Sequence, residues 1–313
     1  MSTYLILILC MVPAVFLLFV MLNILRSDSR GALAAAVSFP LCVILGFAFA
    51  KLFYFFLSGL EIFLEWGEWE WEALFDLDPS TFCFTGGAAG VWLGLVLASG
   101  ITGYKPAASL TDRFVLPGTL LIAGLRLAEI ELGALGTGRY IETPANTSYL
   151  ILAAYNEYGE PHLAVFVWEA VAALMIALIS VRRRYDRPGL RFEIAAFSLC
   201  TCQILLENMR SQTLSWGFVK VEQLLCAVIM MALMLIACSR RRETQGAVRF
   251  LPALYLFLCI AAIVGIEFLR QRSPSRFMGQ YGGYLMMGAV LCVILFIYQV
   301  PVLGLHRRPR MNQ

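Results

Sequence analysis

Nine apolar runs, each near the ~20 residues needed to cross a bilayer core, leave this chain little scope to fold in water. They fall near residues 3–25, 32–57, 82–103, 114–135, 162–181, 192–209, 218–238, 251–269 and 283–303 of 313. The chain is 60 % hydrophobic and only 14 % charged, where soluble domains carry about 25 % charged residues. Lipid offers the backbone no hydrogen-bond partner, so long apolar runs in it fold as helices. The expected fold is all-α, a polytopic integral membrane bundle of about nine transmembrane helices. Its first 25 residues lack a basic start and a small-residue cleavage site, and read as a retained span rather than a signal peptide. Cys10 follows Leu9, where a lipoprotein signal would carry a small residue.

The loops between runs alternate in charge. Arg26 and Arg30 follow the first run, Lys105 and Arg113 the third, and Arg182, Arg183, Arg184, Arg187 and Arg191 the fifth. Arg240, Arg241, Arg242 and Arg249 follow the seventh, and Arg307, Arg308 and Arg310 end the chain. By the positive-inside rule these loops are cytoplasmic, which puts the N-terminus outside and the C-terminus inside. The opposite loops fit. Residues 61–78 carry Glu61, Glu65, Glu68, Glu70, Glu72, Asp76 and Asp78 and no base, interleaved with Trp66, Trp69 and Trp71. Such a segment suits the membrane interface, or the recruitment of a cationic partner. Residues 136–161, rich in Gly, Tyr, Asn and Thr, read as a small external head, with a weak glycosylation match at Asn146-Thr147-Ser148.

Nine cysteines form no Cys-x-x-Cys, the only histidines are His162 and His306, and no metal site is expected. Cys83 alone stands apart from a structural reading. No internal repeat is evident, which disfavours an inverted-repeat transporter.

The charges inside the runs are the informative ones, because a mid-bilayer Arg, Lys or Asp costs about 2.5–3.5 kcal/mol on insertion scales. The candidates among them and at their ends are Lys51, Arg126, Glu129, Glu131, Glu169, Glu207, Arg210 and Glu222. Arg126 and Glu129, three apart, share a helix face, as do Glu207 and Arg210. Two arginines converging from different helices would clamp a phosphate; the alternative is that each neutralises a neighbouring carboxylate. Thr85-Gly86-Gly87-Ala88-Ala89-Gly90 would let a second helix, or a lipid headgroup, approach the backbone.

In this order the features resemble the prolipoprotein diacylglyceryl transferase family. Ala50-Lys51-Leu52-Phe53-Tyr54 is similar to that family's Ala-Arg-Leu-x-Tyr, and Thr85-Gly86-Gly87-Ala88-Ala89-Gly90 to its His-Gly-Gly-x-x-Gly. Gly124-Leu125-Arg126-Leu127-Ala128-Glu129 falls on the Gly-Arg-x-Gly-Asn signature. Pro161 with Val167-Trp168-Glu169 echoes His-Pro-x-Gln-Leu-Tyr-Glu, Glu207-Asn208-Met209-Arg210 matches Glu-Phe-Phe-Arg, and Glu222-Gln223 resembles Gly-Gln-x-x-Ser. The resemblance implies a seven-helix core over residues 1–240, with a two-helix addition over 241–313. It implies a bacterial cytoplasmic-membrane enzyme that moves the diacylglyceryl group of phosphatidylglycerol, or another anionic phospholipid, to a prolipoprotein cysteine or another acceptor.

By the resemblance, Arg126 and Arg210 hold the phosphate; Glu129, the third catalytic candidate, is either a replacement base or a neutraliser of Arg126. Lys51, Tyr54, Thr85, Gly86, Gly87, Glu169, Glu207 and Gln223 contact substrate. No cofactor and no nucleic acid is expected. The sequence departs from the family at Thr85, where the family has His, and at Glu129, Leu132 and Ala134, where it has Asn, Asn and Glu. The alternative reading is therefore a catalytically silent protein that binds lipid or scaffolds a partner.

Overall fold

A computed structural model describes residues 3–67, 69, 71–141, 153–155, 159–182, 185, 187–211, 213–216, 219–240, 246–272 and 282–303. The Asn146-Thr147-Ser148 match, most of the expected external head, Glu68, Glu70, Arg183, Arg184, Arg241, Arg242, His306 and the last arginines lie outside the described residues.

The described chain is helical throughout, apart from short strands and 3-10 turns. The helices are α1 (Thr3–Leu25), α2 (Ser29–Trp66), α3 (Glu72–Phe75), α4 (Phe84–Thr102), α5 (Ala107–Ala128), α6 (Val165–Arg182), α7 (Leu190–Met209), α8 (Val221–Ser239), α9 (Leu251–Arg272) and α10 (Gly283–Leu303). Six of them, α1, α2, α4, α6, α8 and α9, contain stretches long and apolar enough to cross a membrane. Their apolar side chains are widely exposed: Leu9, Leu17, Ile24, Ile44, Ile101, Met175, Val228 and Phe257 all stand more than half open. In water that surface would drive aggregation; in a bilayer it is the lipid face.

Nine runs were expected, and the remaining three overlap α5, α7 and α10, which over their described residues do not meet the length and hydropathy of a span. The apolar part of α10 is short, at Gly283–Gln299. α5 carries Asp112, Arg113 and Arg126, and α7 carries Arg191, Glu193 and Glu207. Those charges dilute the hydropathy that defines a span.

The chain divides into two compact units, and α8 falls in the same unit as α9 and α10. The first unit is Met1–Leu199 with Met209–Trp216; the second is Cys200–Asn208 with Gly217–Gln313.

In the first unit α2 packs along α4 through a glycine stripe. A Cβ on Gly90 would stand 2.2 Å from the Leu45 carbonyl oxygen, and one on Gly94 2.9 Å from Cys42. Glycine at every fourth position lets two backbones approach this closely, the membrane form of helix packing. Beneath them Phe16, Phe19, Leu95, Leu110 and Phe114 form a buried cluster. Asp28 caps α2 by accepting from the Gly31 N–H at 2.8 Å, and Gly67 ends it in the left-handed conformation, φ 74°. Two short strands, β1 (Ala153–Tyr155) and β2 (Pro161–Leu163), pair antiparallel.

In the second unit Met230, Met234, Leu256, Met287 and Ile294 are fully buried. A polar cluster sits among them. Arg270 donates to Glu267 at 2.8 Å, to Asn208 at 3.2 Å and to the Tyr284 hydroxyl at 3.0 Å, and Asn208 donates to Glu267.

Candidate functional site

Four charges buried in the first unit form one network. Arg126 stands in the last turn of α5, and Glu129 follows where the chain tightens into a 3-10 stretch, Glu129–Gly136. Glu169 comes from the first turns of α6, and Arg210 lies one residue past α7. Arg126 Nη1 meets Glu129 Oε1 at 2.5 Å, and its Nε lies 3.1 Å from Glu169 Oε2. Arg210 Nη2 meets Glu129 Oε2 at 2.5 Å and also pairs with Glu169 Oε2, while its Nε donates to Glu169 Oε1 at 3.1 Å. Each arginine thus reaches both carboxylates, and the four side chains are 2–11 % exposed.

Two positive and two negative charges make the network neutral, which is what allows it to be buried at all. It is not geometrically saturated. Among the described residues the Arg126 Nε–H, though 3.1 Å from Glu169, finds no well-aligned acceptor and has no contact with solvent. A buried guanidinium N–H left without an acceptor is costly, and it marks where an additional oxygen would gain most.

The surroundings hold one more predicted motif. The Arg126 guanidinium stacks over the Phe84 ring, 4.3 Å from its centroid, so Thr85, buried at the start of α4, is next along the chain. Gly138 pairs in a one-residue bridge with Arg210 and accepts from, or lies against, His162 Nδ1 at 3.0 Å. Tyr4 of α1 lies within electrostatic range of Glu129, Arg126 and Arg210. Tyr4, Phe84 and Gly138 were not singled out from sequence. Nothing in their local spacing relates them to Arg126 or Arg210.

The other predicted residues lie elsewhere. Lys51 Nζ donates to Thr81 Oγ1 at 2.6 Å and to the Asp76 carbonyl, and its charged neighbours are Asp76 and Asp78. It ties the segment after α3 back onto α2, with Tyr54 beside it, ring centroid 5.9 Å away. The space beside Gly86 is filled by α2: a Cβ there would stand 2.7 Å from both the Phe49 carbonyl and Phe53. Gly87 meets Ala50 at ordinary contact distance.

Glu207 and Gln223 belong to the second unit. There Glu207 accepts from Gln203 at 3.0 Å, and Gln223 donates to the Ile204 carbonyl at 2.8 Å. Of the aromatic residues in the acidic loop, Trp69 stacks on Phe63, centroids 5.0 Å apart, and Trp71 is 63 % exposed. The Cys83 thiol accepts from the Gly86 N–H at 3.4 Å. Among the described residues no group of three His, Cys, Asp or Glu is arranged to hold a metal ion.

No family model matches the chain, and no curated protein matches it.

Proposed function

We propose that this chain is a phospholipid-dependent transferase resembling the prolipoprotein diacylglyceryl transferases, with Arg126, Arg210, Glu129 and Glu169 as its reaction centre. The observation that carries the reading is the convergence of Arg126 and Arg210, 84 positions apart in sequence, on the same two carboxylates. Two guanidiniums so placed make a forked phosphate receptor once a carboxylate yields.

The chemistry follows from charge balance. The acceptor thiol gives its proton to Glu129, and the thiolate attacks the glyceryl carbon that carries the phosphate oxygen. A C–S bond forms, the C–O bond breaks, and glycerol phosphate leaves with the bonding pair. Protonation of Glu129 leaves the network with one net positive charge, matching the charge gained by the leaving group. Glu129 then returns the proton to the released phosphate.

In this reading all nine apolar helices span a bacterial cytoplasmic membrane, with the acidic loops outside and the basic loops cytoplasmic. Phosphatidylglycerol or another anionic phospholipid is the donor, and a prolipoprotein cysteine or another nucleophile the acceptor. The test is the mass of a lipobox peptide incubated with the full-length protein in phosphatidylglycerol vesicles. The wild type should add one diacylglyceryl group, and Arg126→Ala and Arg210→Ala, if still folded, should add none. Full activity of both variants would overturn the assignment.

A second reading is favoured by one feature, the mutual neutralisation of the four charges. In it the network only clamps α5, α6 and the segment after α7 together, and the protein is a silent lipid-binding or scaffolding component. That reading predicts bound phosphatidylglycerol and no peptide modification.

A further inference from the structure

Toward the N-terminal end of α5, the helix whose last turn carries Arg126, a cavity of about 250 Å³ is lined by Leu22, Asn23, Arg26, Arg113, Leu116, Val181 and Arg191. Three guanidiniums from three segments converge on it: Arg26 follows α1, Arg113 lies in α5 and Arg191 opens α7. Arg113 is locked, donating from Nη1 to Asn23 Oδ1 at 2.7 Å and to Asp28 Oδ2 at 2.6 Å. Asn23 is itself buried and oriented by its bond to the Phe19 carbonyl at 2.8 Å.

Arg26 and Arg191 are held less tightly. Among the described residues neither forms an ion pair within 4 Å, and Arg191 rests over the Tyr185 ring at 5.3 Å. The facing carboxylates are Asp28, committed to Arg113 and the Gly31 N–H, and Asp112. Asp112 accepts from the Gly189 and Phe192 N–H groups and interacts with Arg191 through charge. Positive charge exceeds negative at the cavity. Burial and then the charges of Arg113 and Arg191 push the Arg26 pKa below its ordinary value, the mark of cations crowded without an anion.

We infer that this cavity binds a phosphate group, and that its source is the headgroup of an anionic phospholipid in the leaflet on the basic side. Guanidinium forks suit phosphate oxygens. The volume falls below the ~300–1,000 Å³ of pockets that enclose whole small molecules, so it takes a headgroup and leaves the acyl chains outside. Leu22 and Leu116 line the cavity, and the exposed Val181 opens it toward the lipid face of α6. A free phosphate would gain nothing from those three side chains. This site is independent of the transferase chemistry and is formed by different residues.

The experiment compares wild type with Arg26→Gln, Arg191→Gln and the double variant, all full length. Phosphatidylglycerol retained after exchange into mild detergent is scored against phosphatidylcholine, and inorganic phosphate binding is read separately by ³¹P line broadening. A near-surface arginine contributes about fivefold to anionic-lipid binding. Each single variant should therefore lose about fivefold of the phosphatidylglycerol selectivity and the double about 25-fold, with unchanged melting temperature. Wild-type line broadening by inorganic phosphate, lost in the double variant and without lipid selectivity, would keep the phosphate site but assign it to a soluble ligand. Equal retention of phosphatidylglycerol and equal phosphate binding by all four proteins would overturn the proposal. Arg26 is exposed and Arg191 half-buried, so at least one single variant should fold.

Discussion

Replacing Glu169 by glutamine removes one of the two carboxylates that Arg126 and Arg210 share, and leaves a buried network with one excess positive charge. At about 3 Å and an effective dielectric near 20, two unit charges attract by roughly 5 kcal/mol before desolvation is subtracted. Breaking buried pairs by removing one partner costs about 3–5 kcal/mol in practice, and Glu169 is 2 % exposed, so the full range applies. The loss should be seen as a lower unfolding midpoint in detergent. Adding Arg210→Gln restores neutrality and leaves the intact Arg126–Glu129 pair. The double variant should therefore be more stable than the sum of the two single losses by about 1–3 kcal/mol. Strictly additive losses would refute the view that the four residues act as one charge-balanced unit.

Three further outcomes follow from particular contacts. Gly90→Ala should cost about 1–3 kcal/mol by overpacking, because its new Cβ would meet the Leu45 carbonyl, whereas Gly100→Ala, with open space at that position, should leave the melting temperature unchanged or raise it. Lys51→Met should expose the segment around 72–81 to protease several-fold faster without unfolding the bundle, since the lysine holds both Asp76 and Thr81; unchanged cleavage would show that the segment is held by other contacts. The bond from the Gly31 N–H, with help from Arg113, holds the Asp28 carboxyl below the ordinary carboxylate range. Its contribution is therefore present above the unfolded pKa near 4 and lost as pH falls through the lower folded value. Asp28→Asn should flatten that acid limb of the stability profile, and an unchanged limb would assign it to other groups.

How much was legible in advance depended on the range of the interaction. Apolar runs mark helices because lipid leaves the backbone no other partner, and the runs at 3–25, 251–269 and 283–303 begin and end within a few residues of α1, α9 and α10. Where charge intervened, hydropathy misplaced the helix. The run at 114–135 is seven residues late against α5, because Asp112 and Arg113 were excluded. Both have partners, Asp112 in the N–H groups of Gly189 and Phe192 and Arg113 in Asp28. At its other end the left-handed Gly133, φ 57°, replaces the end of that run with a tighter turn.

The same limit applies to the candidate site. The Arg126–Glu129 pair was readable from helical spacing alone. That Glu169 joins both arginines was not, because 41 residues separate it from Arg210 and no local pattern encodes that meeting. The Glu267–Arg270 pair carries the same three-residue signature as Arg126–Glu129. Glu267 lies inside the run at 251–269 and Arg270 just past it, and the further partners of the pair, Asn208 and Tyr284, come from distant positions that no local pattern encodes.

The most direct test of the central claim is the release of glycerol phosphate from headgroup-labelled phosphatidylglycerol by the purified full-length protein, with and without a lipobox peptide. The account predicts release that depends on the peptide, is lost in Arg126→Ala and Arg210→Ala, and is strongly reduced in Glu129→Gln. Bound lipid with no release under either condition, from a folded protein, would contradict it and leave the four-charge network as a structural clamp.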